Sequence, residues 1–374
     1  MKRVGLMTCY MNNFGACLQA YALQTVIKQE GNDCEIIQYT PVRALKKYPF
    51  PIKIALYVRN EIKGLKSEIC SYENARSRSF YKFRRHFLSF GTKVYNKIPQ
   101  LYKDIPNYDC FVTGSDQLWN PLIHGETNNK AYFLDFVPDE KKKIAYSPSI
   151  GIKQIPDNCK EEFIRLVKKI DVLSVREASG QKIIKELSGR ECRIVLDPTL
   201  LLTKKEWLSI AAKPLYERPY IFCYLFSERE YIGKFIEHVK KCLSLDIVVI
   251  PFTKREFESD CIKIKNAGPQ EFISLIANAT LVITDSFHAT AFSINMNVPF
   301  YSLMRNAENE RNNMNSRIDN ILTITGLEDR KITCYEDFPA SIDLSINFLA
   351  ANKTINERRA SDLKFLREAI DSSK

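Results

Sequence analysis

Arg3-Val4-Gly5-Leu6-Met7-Thr8 decides the fold together with three segments after it: the loop Tyr10-Met11-Asn12-Asn13-Phe14-Gly15, a helical run over 16–29 and the apolar run Cys34-Glu35-Ile36-Ile37-Gln38. Within 16–29, apolar residues stand at 18, 22, 23, 26 and 27, the spacing of one helix face. Gly31-Asn32 ends that helix. Strand, helix and strand in so short a span form a βαβ unit, which implies neighbouring parallel strands.

The alternation continues outward. Residues 108–113 read as a strand that stops at Gly114-Ser115-Asp116-Gln117, and 143–146, 172–175 and 194–196 as further strands, with helices over 163–169 and 177–187. Leu196-Asp197-Pro198-Thr199-Leu200 reads as a domain junction, because Pro198 lacks a donor and biases Asp197 to extended geometry. A second series comes next, with strands at 220–226, 247–250, 281–284 and 300–302, helices at 228–243 and 269–277, and a last helix over about 344–370. The expected fold is α/β, with two Rossmann-like domains facing a cleft. Their expected limits are 1–190, carrying a basic helical insertion at 43–103, then 191–340, then a terminal helical segment at 341–374.

Composition narrows the class. Apolar residues make up 45% of the chain, enough for a substantial core, and a charged share of 26% argues against disorder. No apolar run is long enough to span a bilayer, and the start lacks the core of a secretion signal, so a cytosolic protein is expected. Eleven cysteines, an odd number with no C-x-x-C pair, suit free thiols. Histidines at 86, 124, 238 and 288 are too scattered for a zinc cluster, and no metal is expected. The net charge of +11 is concentrated: residues 43–103 hold fifteen Lys/Arg against three Asp/Glu. Interleaved with aromatics, that segment predicts contact with an anionic membrane surface. No nucleic-acid-binding signature accompanies it, so no nucleic acid is expected.

Four places carry candidate chemistry. Asn12, Asn13 and Gly15 follow the first strand and open a helix, where amides and free N–H groups can meet a polar ligand; a helix cap is the plainer alternative. Ser115, Asp116, Gln117, Trp119 and Asn120 follow another strand. A Trp face beside three hydrogen-bonding side chains suits a sugar, and an Asx turn with a half-buried Trp is the alternative. In Thr284-Asp285-Ser286-Phe287-His288, the histidine opens a helix and could bind phosphate or deliver a proton, or be purely structural. Arg176 and Arg317 offer planar forks for carboxylate and phosphate, or surface ion pairs. Neither G-x-G-x-x-G nor a P-loop is present.

Taken in order, N-N-F-G-A-x-L-Q-A-Y-A-L-Q, V-T-G-S-D-Q-L-W-N-P, S-V-R-E-x-S-G, L-D-P-T-L-L-L and T-D-S-F-H-A-T-A-F-S resemble the polysaccharide pyruvyl transferase family over roughly residues 4–325. The resemblance implies a GT-B-like fold whose C-terminal helix crosses back onto the first domain. It also implies transfer of the enolpyruvyl unit of phosphoenolpyruvate to a sugar of a bacterial surface polysaccharide or its lipid-linked precursor, usually as a pyruvate ketal. Arg176 matches the arginine implied to contact phosphoenolpyruvate, and His288 the histidine implied in phosphate binding or proton transfer. The chain departs from the family at Ser286, where related sequences read R-L-H, and Arg317 is expected to supply that anion contact together with Ser286 and His288.

Ketal formation protonates C3 of phosphoenolpyruvate, adds a sugar hydroxyl at C2, expels phosphate and closes on a second hydroxyl. This chemistry requires neither nucleotide nor cofactor. Asp116 is the expected base or hydroxyl anchor. The basic segment would hold the enzyme at the inner face of the membrane, near an undecaprenyl-diphosphate-linked acceptor. Two other readings stay open: a GT-B glycosyltransferase using a nucleotide sugar, and a non-catalytic membrane- or nucleic-acid-binding relative.

Overall fold

The computed structural model describes residues 1–40, 68–306 and 315–373. The first sheet is built from β1 (Arg3–Met7), β2 (Asp33–Tyr39), β3 (Phe90–Tyr95), β4 (Cys110–Thr113), β5 (Lys142–Ala145), β6 (Val172–Val175) and β7 (Arg193–Ile194). They lie in the order β3-β2-β1-β4-β5-β6-β7, all parallel. The second sheet contains β8 (Tyr220–Tyr224), β9 (Asp246–Val249), β10 (Ile262–Lys263), β11 (Leu281–Thr284), β12 (Phe300–Leu303) and β13 (Lys331–Ile332). Its order is β10-β9-β8-β11-β12-β13, again all parallel. β4, β8, β11 and β12 are buried at every position, because helices cover both faces of a parallel sheet.

Each sheet reverses its strand order once, between β1 and β4 and between β8 and β11. A crevice opens beyond the carboxyl ends of the strands at such a point. The loops after β1 and β4 therefore face those after β8 and β11 across the cleft. The architecture is GT-B-like.

One apolar core spans both lobes, with a further core inside each. Helix Phe14–Gln29 starts at the cleft, and the Phe14 ring stacks on Phe272 of the second lobe at 4.8 Å and packs on Phe80 at 4.8 Å. Aromatic pairs of this kind add roughly 0.5–1.5 kcal/mol beyond area burial. The helix Leu349–Asp371 crosses back onto the first lobe. Asp362 accepts from the Leu196 amide at 2.8 Å and pairs with Arg193 at 3.1 Å, and Lys2 Nζ donates to the Ile370 carbonyl at 2.5 Å.

Two expectations need correction. β7 pairs with β6, so the first sheet runs past the boundary expected at residue 190. The basic segment is not helical throughout: Phe90–Tyr95 forms β3, an edge strand parallel to β2. The helix Glu68–Phe87 straps the lobes together, with Arg76 Nη2 donating to the Pro251 carbonyl at 2.9 Å and Ser79 Oγ to the Asn266 carbonyl at 2.7 Å. Residues 43–67 of the expected membrane-binding segment lie outside the described residues. Among the described residues, no helix is long and apolar enough to cross a membrane.

Candidate active site between the lobes

Arg176 lies just past β6 at the centre of the cleft, 3% exposed. Its Nη1 donates to Asp197 Oδ2 at 2.7 Å. Its guanidinium lies over the Phe287 ring at 4.4 Å, a contact contributed by the second lobe. Nη2 stands 4.0 Å from Asp116 Oδ1, beyond hydrogen-bond reach. Both Nε and Nη2 are buried without a hydrogen-bond partner.

Asp197 holds this centre from the junction between the lobes. Oδ2 also accepts from Ser115 Oγ at 2.9 Å, and Oδ1 accepts from the Thr199 amide at 3.0 Å and its hydroxyl at 2.7 Å. Burial opposes ionisation of this carboxyl, but His288, Arg176 and the Thr199 donors outweigh it and hold it at about 2. In the sequence Asp197 stands out only as a junction residue. No feature of Leu-Asp-Pro-Thr distinguishes a buried counter-ion from a turn cap, and it serves as both.

His288 is the second residue of the helix Phe287–Met296. Its Nε2 lies 3.7 Å from Asp197 Oδ2 and has no hydrogen-bond partner. Burial pushes its pKa down against the pull of Asp197 and Asp116, so the neutral ring is favoured. Gly15 explains how it fits: a Cβ there would sit 2.0 Å from His288 Nδ1. The first lobe thus makes room for the second lobe's histidine by omitting a side chain. Gly15 contributes space to the site.

Asp116 adopts a left-handed backbone with φ of 69°, an uncommon conformation that aspartate tolerates better than most residues. The turn is forced from behind, because a Cβ on Gly114 would lie 1.8 Å from the Tyr146 carbonyl. Burial raises the Asp116 pKa, but His288, Arg176 and Arg317 together bring it below its ordinary value. Arg317, half-buried on the helix Ser316–Thr325, has an unpartnered Nε and is lowered to about 10 by burial and by Arg176. Ser286, buried at the start of the histidine helix, donates its amide to Thr284 Oγ1 at 3.1 Å.

The structure corrects several sugar-contact expectations. Trp119 is fully buried, stacked on Phe133 at 4.4 Å, with its Nε1 donating to the Tyr132 carbonyl at 3.1 Å. It offers no face to a sugar. Asn120 is buried, its amide tied to Gln117 Oε1 at 3.1 Å and its carbonyl oxygen to the Leu122 amide at 3.0 Å. Asn13 caps its helix by accepting from the Ala16 amide at 3.0 Å. Asn12 bridges to Ser77 Oγ at 3.0 Å and to Arg84 at 2.6 Å on the strapping helix. Of the expected residues, Arg176, His288, Asp116, Ser115 and Arg317 converge.

Sequence reasoning missed the second lobe's own pair. Arg305, just past β12, donates Nε to the Asp285 carbonyl at 2.7 Å, lies 3.2 Å from Asp285 Oδ1, and covers the Phe226 ring at 4.4 Å. It is close enough to perturb Arg317. It also missed Glu177, the buried neighbour of Arg176 in the chain.

The chain resembles solved structures along nearly its whole length. One described as a putative UDP-N-acetylglucosamine 2-epimerase from Listeria monocytogenes superposes with a TM-score of 0.51 at 10% identity, covering 94% of each chain. The UDP-GlcNAc 2-epimerase of Methanocaldococcus jannaschii gives 0.45 at 13% identity, covering 95% of this chain and 91% of that one. MurG of Acinetobacter baumannii gives 0.42 at 10% identity, covering 99% of each. At such identities the first likeness speaks for the fold alone. The sequence matches no curated protein. Residues 13–306 match the family described as polysaccharide pyruvyl transferase, a span that takes in the Gly15 loop, Asp116, Arg176, Asp197 and His288. The chain belongs to the polysaccharide pyruvyl transferase family, and is a transferase of that type acting on a polysaccharide substrate.

Proposed function

We propose that this enzyme transfers the enolpyruvyl unit of phosphoenolpyruvate to a hexose, galactose as its 4,6-ketal, of a bacterial capsular or exopolysaccharide or its lipid-linked precursor. One observation carries the reading. Arg176 Nε and Nη2 are buried with no acceptor, and His288 Nε2 is buried in the same cleft with no hydrogen-bond partner. A buried donor left unmade costs roughly 1–3 kcal/mol, so two on one guanidinium call for an anionic ligand. Phosphoenolpyruvate brings both a carboxylate and a phosphate, and the arginines would hold the two.

The same electrostatics favours one division of the proton transfers. Asp116 stays ionised, so it can anchor the attacking hydroxyl as an acceptor and receive its proton as the bond to C2 forms and the hydroxyl acidifies. His288 is neutral until the donor arrives. A phosphate beside Nε2 favours the imidazolium, which then delivers a proton to the substrate. Two hydroxyl protons leave the sugar; one proton ends on C3 as the methyl group and one on the departing phosphate. Burial of the cleft keeps water from the oxocarbenium-like centre. Ser286 lines the donor side in this scheme. Gln117 and Asn120 would shape the acceptor side through the turn they brace.

The segment 43–103 would hold the enzyme against an anionic membrane surface, placing it beside a lipid-linked acceptor. Vesicles containing anionic lipid should bind the protein at low salt and release it at high salt; binding indifferent to salt argues against this. The reaction is tested by incubating protein, phosphoenolpyruvate and a β-galactoside while following phosphate release and the ketal methyl resonance. Stoichiometric appearance of both supports the proposal. Phosphate release without ketal, or turnover only with a nucleotide sugar, overturns it.

A further inference from the structure

Glu177 follows the donor arginine directly and is 1% exposed. Its two carboxylate oxygens meet different fates. Oε1 accepts from Ser149 Oγ at 3.0 Å, the Ile150 amide at 2.9 Å and the Gly151 amide at 3.1 Å. Oε2 is equally buried and accepts from nothing. Three donors on one oxygen fix the carboxylate, so the second oxygen's direction is set by the fold rather than by chance rotation.

An unfilled donor lies nearby on the other lobe. Arg317 Nε is buried without a partner, and Glu177 is among the charges acting on Arg317. The Arg317 helix is docked against this segment, because Asn320 Nδ2 donates to the Arg176 carbonyl at 3.3 Å. A buried acceptor and a buried donor of opposite charge are therefore contributed to one neighbourhood by the two lobes, both unsatisfied.

The loop under Glu177 Oε1 leads back to the acceptor side. The Ser149 amide donates to the Asp116 carbonyl at 2.8 Å. A Cβ on Gly151 would strike Gln117 Oε1 at 2.4 Å. Glu177 thus braces the turn that presents Asp116 while its other oxygen stays buried and unpaired.

We propose that Glu177 is a positioning residue coupling the two halves of the site: its free oxygen receives the Arg317 Nε–H through a rotation of the Arg317 side chain, setting Arg317 for the donor anion while the other oxygen holds the Asp116 turn. The role of Arg317 as a donor-binding group rests on the proposed pyruvyl transfer; its pairing with Glu177 does not.

A double-mutant cycle tests this. Glu177→Gln keeps an oxygen for Ser149, Ile150 and Gly151 but replaces the free acceptor with an NH2 group. It should weaken phosphoenolpyruvate binding about tenfold, as expected for a lost charged hydrogen bond, and lower Tm measurably but by less than Glu177→Ala. In an Arg317→Ala background the same change should alter binding by less than about twofold. Glu177→Ala, which also frees the three donors, should lower Tm markedly. The cycle is read in Tm without ligand as well, where Glu177→Gln and Arg317→Ala should also fail to add. Additive effects in Tm and in binding overturn the pairing. If wild-type protein ignores phosphoenolpyruvate, the donor reading fails, and the Tm cycle still decides the pairing on its own.

Discussion

Each lobe sets an arginine against a buried aspartate at the cleft, and the two pairs are tuned in opposite directions. In the first, Asp197 takes hydrogen bonds from Arg176, Ser115 and Thr199 and is held at about 2. In the second, Asp285 accepts from the Phe226 and Ser227 amides and lies 3.2 Å from Arg305 Nε. Burial there outweighs its partners, and the carboxyl is raised. The difference lies in the arginines as much as in the acids. Arg176 gives Asp197 a short Nη1 contact and keeps two buried N–H groups unpartnered, whereas Arg305 turns its Nε to its own aspartate. The first pair is a fixed charge with donors to spare for an anion. The second fastens two loops of its own lobe.

Mutation should separate the pairs most sharply in stability. Asp197→Ala strands a buried guanidinium and removes the Thr199 cap, and should cost about 3–5 kcal/mol. Asp285→Asn keeps an acceptor where the charge is already disfavoured, and should cost no more than about 1 kcal/mol. Thermal melts of both variants check this; equal losses would erase the distinction.

Catalysis should split nearly as widely. Arg176→Ala should lower kcat/KM for phosphoenolpyruvate by about 10²–10³-fold, the scale of losing a buried donor to developing charge. Arg305→Ala should lower it by about tenfold or less. Steady-state kinetics on purified variants decides.

Acid titration offers a third contrast, with opposite signs. The Asp197 carboxyl is depressed in the fold, so its contribution of roughly 2 kcal/mol is present above its unfolded value of ~3.9 and is lost as pH falls through about 2. Asp285 is raised, so its contribution is present at low pH and is lost as pH rises through its folded value. The Tm gap between wild type and Asp197→Asn should therefore close on acidification. The gap between wild type and Asp285→Asn should move the other way.

The smallest predicted effect concerns Trp119. Trp119→Phe removes its bond to the Tyr132 carbonyl and should cost about 1 kcal/mol. Acceptor KM should not change, because the indole never meets the cleft. A raised acceptor KM would restore Trp119 as a sugar contact.

The fold was largely legible because parallel strands covered on both faces write themselves as apolar runs such as Leu281–Thr284. β3 is hidden in the sequence because this edge strand exposes Thr92, Lys93 and Val94 in a row, which breaks the apolar alternation that marks a strand. β10 and β13, two residues each, leave no periodic signature at all. At the site, Arg176 and His288 could be found because they stand just past strand ends. Asp197, Glu177 and Arg305 could not, because burial of a charge and its pairing across lobes arise only from tertiary packing. Trp119, Asn120 and Asn13 misled for a related reason: polar and aromatic residues after a strand serve turns and caps as readily as ligands.

The central claim is that the unpartnered donors around Arg176 are a phosphoenolpyruvate site. It is tested most directly by calorimetric titration of phosphoenolpyruvate at neutral pH into wild type and Arg176→Ala, repeated in two buffers of different ionisation enthalpy. The account predicts wild-type binding with net proton uptake, as His288 charges beside the phosphate, and no binding by Arg176→Ala. Equal affinity in both proteins would contradict it.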